Sequence, residues 1–368
     1  MKSTSGEHYV GLDHIRAFAA LLVFMWHFLH GYAGYPVPFA SNVSVFLFPL
    51  ALFDEGHVGV SLFMTLSGYL FTKLIAGKDI YFGKFMFNRI LRLIPLLYLF
   101  LFIQFAMRGD GVNITEFIKY LVVGLYTPTY AVGGWSVMVE MQFYLILPLL
   151  LSVYKGNRNH LLALLAVTIG IRVLLYVQMG EAQTISYWYI FGRIDQFILG
   201  MYACSLKNME RRTKSAIAVG VAFCLFYWLF AQYGGFYLMG GGYPSKSPLW
   251  IILPTVEGAA FAFLIAYYDA LKMTGQSLLS RFVAKIGDYS YSIYLVHFFF
   301  VFRAGDYITR NIYPISNIYV AMVAGLICFL LMIPIGYLNM RFIERPILRF
   351  RINYLRPVTG SVATVASA

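Results

Sequence analysis

The chain has 368 residues, of which 60% are hydrophobic and only 12% charged, with a formal net charge of +12. A soluble protein of this length needs far more polar surface to cover its core, so the composition excludes an ordinary soluble enzyme. No basic–aromatic RNA motif accompanies the positive charge, so nucleic acid is not an expected partner.

Apolar runs recur along the chain at lengths that suit a bilayer crossing, which takes roughly 20 residues. Residues 1–10 are polar and a full-length run follows, so no cleavable leader is expected. In chain order the expected spans are 13–32, 58–76, 93–107, 135–154, 161–179, 188–206, 215–233, 248–271, 289–304 and 317–340. The run 114–132 contains Lys119, Pro128 and nearby glycines, and is read as re-entrant or interfacial. The expected fold is therefore all-α: a polytopic membrane helical bundle of about ten transmembrane helices plus that segment. Residues 1–351 read as one integral membrane domain and 352–368 as a cytoplasmic C-terminal tail. Cys204, Cys224 and Cys328 lie in apolar runs without a CxxC, and read as packing residues.

Positive charge sets the orientation. With the N-terminus in the cytoplasm, the inside segments carry 21 Lys and Arg residues and the outside segments 5, with Arg172 and Arg193 left within spans. A further full span at 114–132 would invert every later loop. Ten spans also bring the C-terminus to the cytoplasm.

Polar groups inside spans carry the functional expectation, because burying them in hydrocarbon is unfavourable. In the first span, Arg16 and His27 are eleven residues apart, which returns them to one helix face within about 20° and separates them by about 16 Å along the axis. A fixed cation at the inner boundary and a titratable base in the outer half share one face. His30 faces about 60° away from His27. In the fourth span, "GGWSVMVEMQFYLILPLL" sets Glu140 at a depth matching that of His27, about 7–8 Å. Matching depth allows a base–orienter pair, or else a structural hydrogen-bond cluster around Glu140. "NRILRLIP" puts Arg89 and Arg92 at i, i+3, suited to phosphates and equally to positive-inside anchoring.

The ordered set "YVGLDHIRAFAALLVFMWHF", "GHVGVSLFMTLSGYLFT", "FNRILRLIPLLYL", "GGWSVMVEMQFYLILPLL", "YSYSIYLVHFFF" and "RFIERPILRF" resembles the signatures of the acyltransferase-3 family of membrane O-acyltransferases, over about residues 9–351. The resemblance implies a bacterial-type inner-membrane enzyme moving an acyl group, usually acetyl, from cytoplasmic acyl-CoA to a hydroxyl of a surface polysaccharide or lipid-linked glycan. The family's Arg-x10-His pair falls on Arg16 and His27, its Arg-x-x-Arg on Arg89 and Arg92, and its Trp-Ser-x-x-x-Glu on Trp135, Ser136 and Glu140. On this reading Arg16, Arg89 and Arg92 hold the phosphates of acetyl-CoA. His27 is general base or transient acyl carrier, with Glu140 beside it. Trp135, Ser136 and His297 are placed toward the acceptor, His297 with a structural role as its rival reading.

No metal is expected, and polysaccharide-assembly proteins are expected partners. The chain departs from the family pattern at Ser61, where an acidic residue is common, and at His14, where glycine is. The periplasmic esterase-like domain that some members carry is not expected within these 368 residues. The rivals are a glycan or lipid flippase, and an acyltransferase acting on a small metabolite or using succinyl-CoA. A flippase predicts inverted repeats and paired broken helices, neither of which is clear in the sequence.

Overall fold

The computed structural model describes residues 9–30 and 45–356, except 77, 108–112, 129, 131, 237–242 and 316. Seven helices are long and apolar enough to cross a bilayer. They include α1 (Val10–His30), α2 (Val58–Ile75), α3 (Phe82–Ala106), then, after the short α4 (Ile114–Val123), α5 (Gly134–Asn157) and α6 (His160–Met179). Next come α7 (Ile190–Ala203), α8 (Thr213–Gln232), α9 (Leu253–Ala270), α10 (Leu278–Val296), α11 (Val301–Asn311) and α12 (Ile318–Asn339). Of these, α8 and α12 complete the seven, the apolar stretch of α12 running on to Leu348. Among the described residues the only extended pairing is an isolated bridge between Ile80 and Leu355. The chain is an all-α polytopic membrane bundle.

The expected spans map onto α1, α2, α3, α5, α6, α7, α8, α9, α10 and α12, with two clear displacements: the third was expected at 93–107, whereas α3 begins at Phe82. The ninth was expected at 289–304, whereas α10 runs from Leu278 to Val296 and α11 is a separate helix. Arg281, Lys285 and Asp288 lower the hydropathy of the first half of α10, and tertiary packing holds it helical instead. The α4 helix has 10 residues, about 15 Å at 1.5 Å per residue, too short to cross roughly 30 Å of hydrocarbon. Asn113 caps it, its side-chain oxygen accepting from Thr115 N at 3.0 Å and Glu116 N at 3.3 Å.

The core is built around α1, which packs on α10, α2 and α12, and around α7, which packs on α2 and α9. Small residues set the closest crossings. A side chain at Gly68 of α2 would meet Phe197 O at 2.1 Å, and one at Gly200 of α7 would meet Thr65 O at 2.0 Å. The two backbones touch there because neither glycine carries a Cβ. In contrast, α6 exposes Leu174 and Val177, as a lipid-facing helix does.

The helix ends sort onto two faces. Lys73 at the end of α2 pairs with Asp269 at the end of α9, and its ammonium lies 4.0 Å from the ring of Tyr9, just before α1. On the opposite face Trp26, His57, Tyr187, Phe236 and Trp250 form an aromatic cluster. The chain therefore passes alternately between the two faces.

One span is broken. The helical turn Gln183–Trp188 is separated from α7 by Tyr189, which is extended at φ −119°, ψ 154°. The side chain of Arg193 donates from Nε to Tyr187 O at 2.8 Å, satisfying a carbonyl beside the break. Irregular backbone at depth persists only when such groups find protein partners.

Candidate active site

A cavity of about 210 Å³ opens among α1, α2, α3, α5 and α10. The helix-face arithmetic explains why: Arg16 on α1 and the i, i+3 pair Arg89 and Arg92 on α3 all turn toward it, and all three line it. Glu140 and Ser136, one turn apart on α5, line it as well. The expected anion site and the expected carboxylate thus belong to one space.

The arginines are held differently. Arg16 Nη1 donates to Asp13 Oδ1 one turn earlier on α1. The sequence reading did not weigh Asp13, although "DHIR" has the i, i+3 spacing of such a pair. Arg89 lies over Phe71 at 5.0 Å and over Phe85 at 5.5 Å, and its Nε is buried without a hydrogen-bond partner. A guanidinium seated on aromatic faces is oriented without being neutralised.

Glu140 does not pair with His27. Its Oε1 accepts from Ser67 Oγ at 2.7 Å and from the hydroxyl of Tyr144. The base–orienter pair expected from matching depth is corrected here: α1 meets α10 along most of its length, and the partner of His27 comes from there. His297 Nε2 lies 3.3 Å from His27 Nδ1. His27 Nδ1 is also 2.9 Å from Val23 O, and His297 Nδ1 is 3.2 Å from Ile293 O. A carbonyl oxygen can only accept, so with both rings neutral each Nδ1 carries the hydrogen. The His27 Nδ1–H is then shared between Val23 O and His297 Nε2, and the lone pair of His27 Nε2 is left for chemistry.

His27 and His297 lie beyond the cavity lining rather than in it. The link between them is Tyr294, which lines the cavity, meets Ser136 Oγ at 2.6 Å through its hydroxyl, and has its ring 5.9 Å from that of His297. Trp135 is buried against Tyr187 and Trp188, at centroid separations of 5.0 and 4.7 Å. In this arrangement it packs on the protein's own aromatics, tilted against Tyr187 and edge-on to Trp188. His30 faces away from His27 and sits 3.7 Å from Asp54.

A second polar group occupies the other side of α2. Ser61 Oγ donates to Glu257 Oε2 at 2.5 Å and accepts from Arg193 Nη1 at 2.8 Å. Gln196 and Tyr227 also donate to Glu257, at 2.8 and 2.6 Å. The carboxylate absent at position 61 is thus present next to it, supplied by α9. Nearby, Arg172 of α6 pairs with Asp195 of α7 at 2.5 Å, and both side chains are fully buried. The sequence offered Asp195 and Glu257 as charges inside apolar runs, and that was the signal that could have found them.

The sequence profile of a family described as "Acyltransferase domain" matches residues 9–338. Among curated proteins, YrhL of Bacillus subtilis, provisionally named a peptidoglycan O-acetyltransferase, is 23% identical over 342 residues, covering 80% of this chain and 49% of that one. The O-acetyltransferase OatA of Staphylococcus aureus is 23% identical over 401 residues, covering 94% of this chain and 58% of its own. The peptidoglycan O-acetyltransferase OatA of Listeria monocytogenes is 24% identical over 408 residues, with 96% and 58% covered. The chain spans between 49% and 58% of the lengths of these relatives. No solved structure gives a significant match.

Proposed function

This chain belongs to that acyltransferase family, and from this premise we propose that it moves an acetyl group from acetyl-CoA, bound from the cytoplasm, to a hydroxyl of a cell-envelope glycan in the bacterial inner membrane. The observation that carries the proposal is the convergence of Arg16, Arg89 and Arg92 on one cavity that also holds Ser136 and Glu140. Planar guanidiniums offer paired donors to phosphate oxygens. The pantetheine arm would run through the cavity and carry the thioester past Phe63 and Tyr294, which line it near the outer ends of α2 and α10.

His27 then removes the proton from the acceptor hydroxyl through Nε2, and the oxygen attacks the thioester carbonyl as the CoA thiolate departs. His297 accepts the His27 Nδ1–H and so fixes the tautomer, the role first assigned to Glu140. Glu140 instead holds Ser67 and Tyr144 at the cavity wall. Peptidoglycan is the first acceptor to test, because relatives carry its name.

The test is label transfer by the purified protein in liposomes, from radiolabelled acetyl-CoA to a muropeptide or polysaccharide acceptor. Transfer that disappears in His27→Ala supports the reading. Glycan movement across the bilayer without acetyl-CoA, and no transfer with it, would overturn it in favour of transport.

A further inference from the structure

The cavity has a wall that no helix provides. After α12 the chain makes a π-turn, Met340–Glu344, and a short helix, Arg345–Leu348, then runs as an extended strap over residues 351–356. The strap is tied to the start of α3. Asn88 Nδ2 donates to Ile352 O at 2.7 Å, and Ile352 N donates back to Asn88 Oδ1 at 3.0 Å. Tyr81 N donates to Tyr354 O at 2.8 Å and Arg356 N to Asp79 O at 2.9 Å, on either side of the Ile80–Leu355 bridge. Tyr354 is buried with its ring 5.5 Å from that of Phe85. Five main-chain and side-chain attachments over six residues make a docked element, although the sequence reading placed residues 352–356 in a C-terminal tail and only Arg351 in the membrane domain. Residues 357–368 lie outside the described residues.

Two strap residues, Arg351 and Tyr354, line the cavity. Arg351 Nε is buried without a hydrogen-bond partner, as is Arg89 Nε. Burial first, and then the charges of Arg92 and Arg89, push the Arg351 guanidinium down to about 9, so it remains protonated at neutral pH. Glu344 is the acid that opposes this repulsion. It is buried, its Oε1 accepts from Ser292, and its Oε2 has no hydrogen-bond partner. Among the residues lining the cavity, Arg16, Arg89, Arg92 and Arg351 outnumber Asp13, Glu140 and Asp288 by one, Arg16 being paired with Asp13, and Arg89 and Arg351 each have a donor atom turned away from water. Such a cluster is stabilised when a polyanion enters.

We propose that Arg351, delivered by the docked C-terminal strap, is a fourth guanidinium of the donor site beside Arg16, Arg89 and Arg92, and that the strap must be seated on α3 for the phosphates of acyl-CoA to bind. The proposal rests on the donor reading above. It adds a binding residue that lies beyond the family match, which ends at residue 338. Asn88 becomes a positioning residue: it touches the strap, not the ligand.

The test uses the full chain in lipid nanodiscs and compares acetyl-CoA with S-acetylpantetheine, which has the same thioester and no phosphate. Arg351→Gln is expected to weaken acetyl-CoA roughly tenfold or more, and to weaken S-acetylpantetheine much less. Arg351→Lys should recover part of the loss, and Asn88→Ala should give a smaller loss of the same selectivity. A purely structural role would weaken both donors alike, and that result overturns the proposal. Should Arg351→Gln leave acetyl-CoA untouched while Arg89→Gln and Arg92→Gln weaken it, the strap falls and the donor site stands. If none of these arginine variants changes acetyl-CoA binding, the donor reading itself is wrong.

Discussion

Two polar regions lie on opposite sides of α2, and they differ in how their charges are met. On one side Arg193, Glu257, Ser61, Gln196 and Tyr227 form a network closed by protein groups, with Arg172 and Asp195 paired beside it. On the other, Arg89, Arg92, Arg351 and Glu140 line a cavity; buried guanidinium nitrogens without a hydrogen-bond partner occur on both sides, at Arg172 and Arg193 as at Arg89 and Arg351, so what differs is the cavity. The residue types are the same. Carboxylate–guanidinium pairs specify how α2, α7 and α9 fit together, whereas on the proposed reading the guanidiniums that line the cavity serve a ligand. In a membrane protein the presence of a buried ion therefore says less than the identity of what answers it.

Substitutions on the two sides should separate cleanly. The largest effect is expected at His27, where alanine should lower acetyl transfer by about 10²–10⁴-fold, the range of general-base catalysis, while the thermal transition stays close to that of the parent. Near-parental turnover would remove His27 from the chemistry. In the closed network, Glu257→Ala strands the Arg193 charge and should destabilise the fold by about 3–5 kcal/mol, read as loss of the folded fraction in detergent. Survival of that variant with an unchanged melting temperature would show the network to be dispensable.

At the cavity, Arg89→Ala and Arg92→Ala should raise the KM for acetyl-CoA by about 10- to 100-fold, equivalent to about 1.5–3 kcal/mol, with little change in melting temperature. Lysine at either position should restore only part of this, because it lacks the planar fork. The smallest effect is expected at Ser67, where alanine removes one hydrogen bond to Glu140 and should shift turnover or stability by about 1 kcal/mol. A loss as large as that of His27→Ala would give Glu140 a direct part in the reaction.

The sequence carried the lipid-facing pattern and the single-helix geometry well, for a physical reason. Hydropathy is summed along one segment, and the shared face of Arg16 with His27, or of Arg89 with Arg92, follows from helical periodicity alone. What it did not carry is which helices are neighbours. His27 and Glu140 have similar depth, yet α10 supplies the partner of His27 and α2 supplies that of Glu140. The start of α10 was missed because Arg281, Lys285 and Asp288 look like a loop when summed. Tertiary packing reverses that: a side chain at Gly287 would meet Asp13 O at 1.9 Å, so α1 runs directly against this half of the helix. Asp195 and Glu257 needed the fold to show their partners. The strap was legible only as charge, since Arg349, Arg351 and Arg356 fit the positive-inside bias whether or not they touch a site.

The central claim is that the arginine cavity admits the donor from one membrane face while His27 acts nearer the other. Lys78 follows α2 on the face of the α2 and α9 ends, and Lys246 lies by the far end of α6, its carbonyl accepting from Tyr176 at 3.1 Å. Single cysteines at these two positions, in a background lacking the native cysteines, should react with an impermeant thiol reagent from opposite sides. In vesicles whose orientation is fixed by that labelling, acetyl-CoA supplied on the Lys78 side should support transfer, and acetyl-CoA supplied on the Lys246 side should support none. Transfer driven from the Lys246 side would contradict the account, because the donor would then reach His27 without passing the arginines.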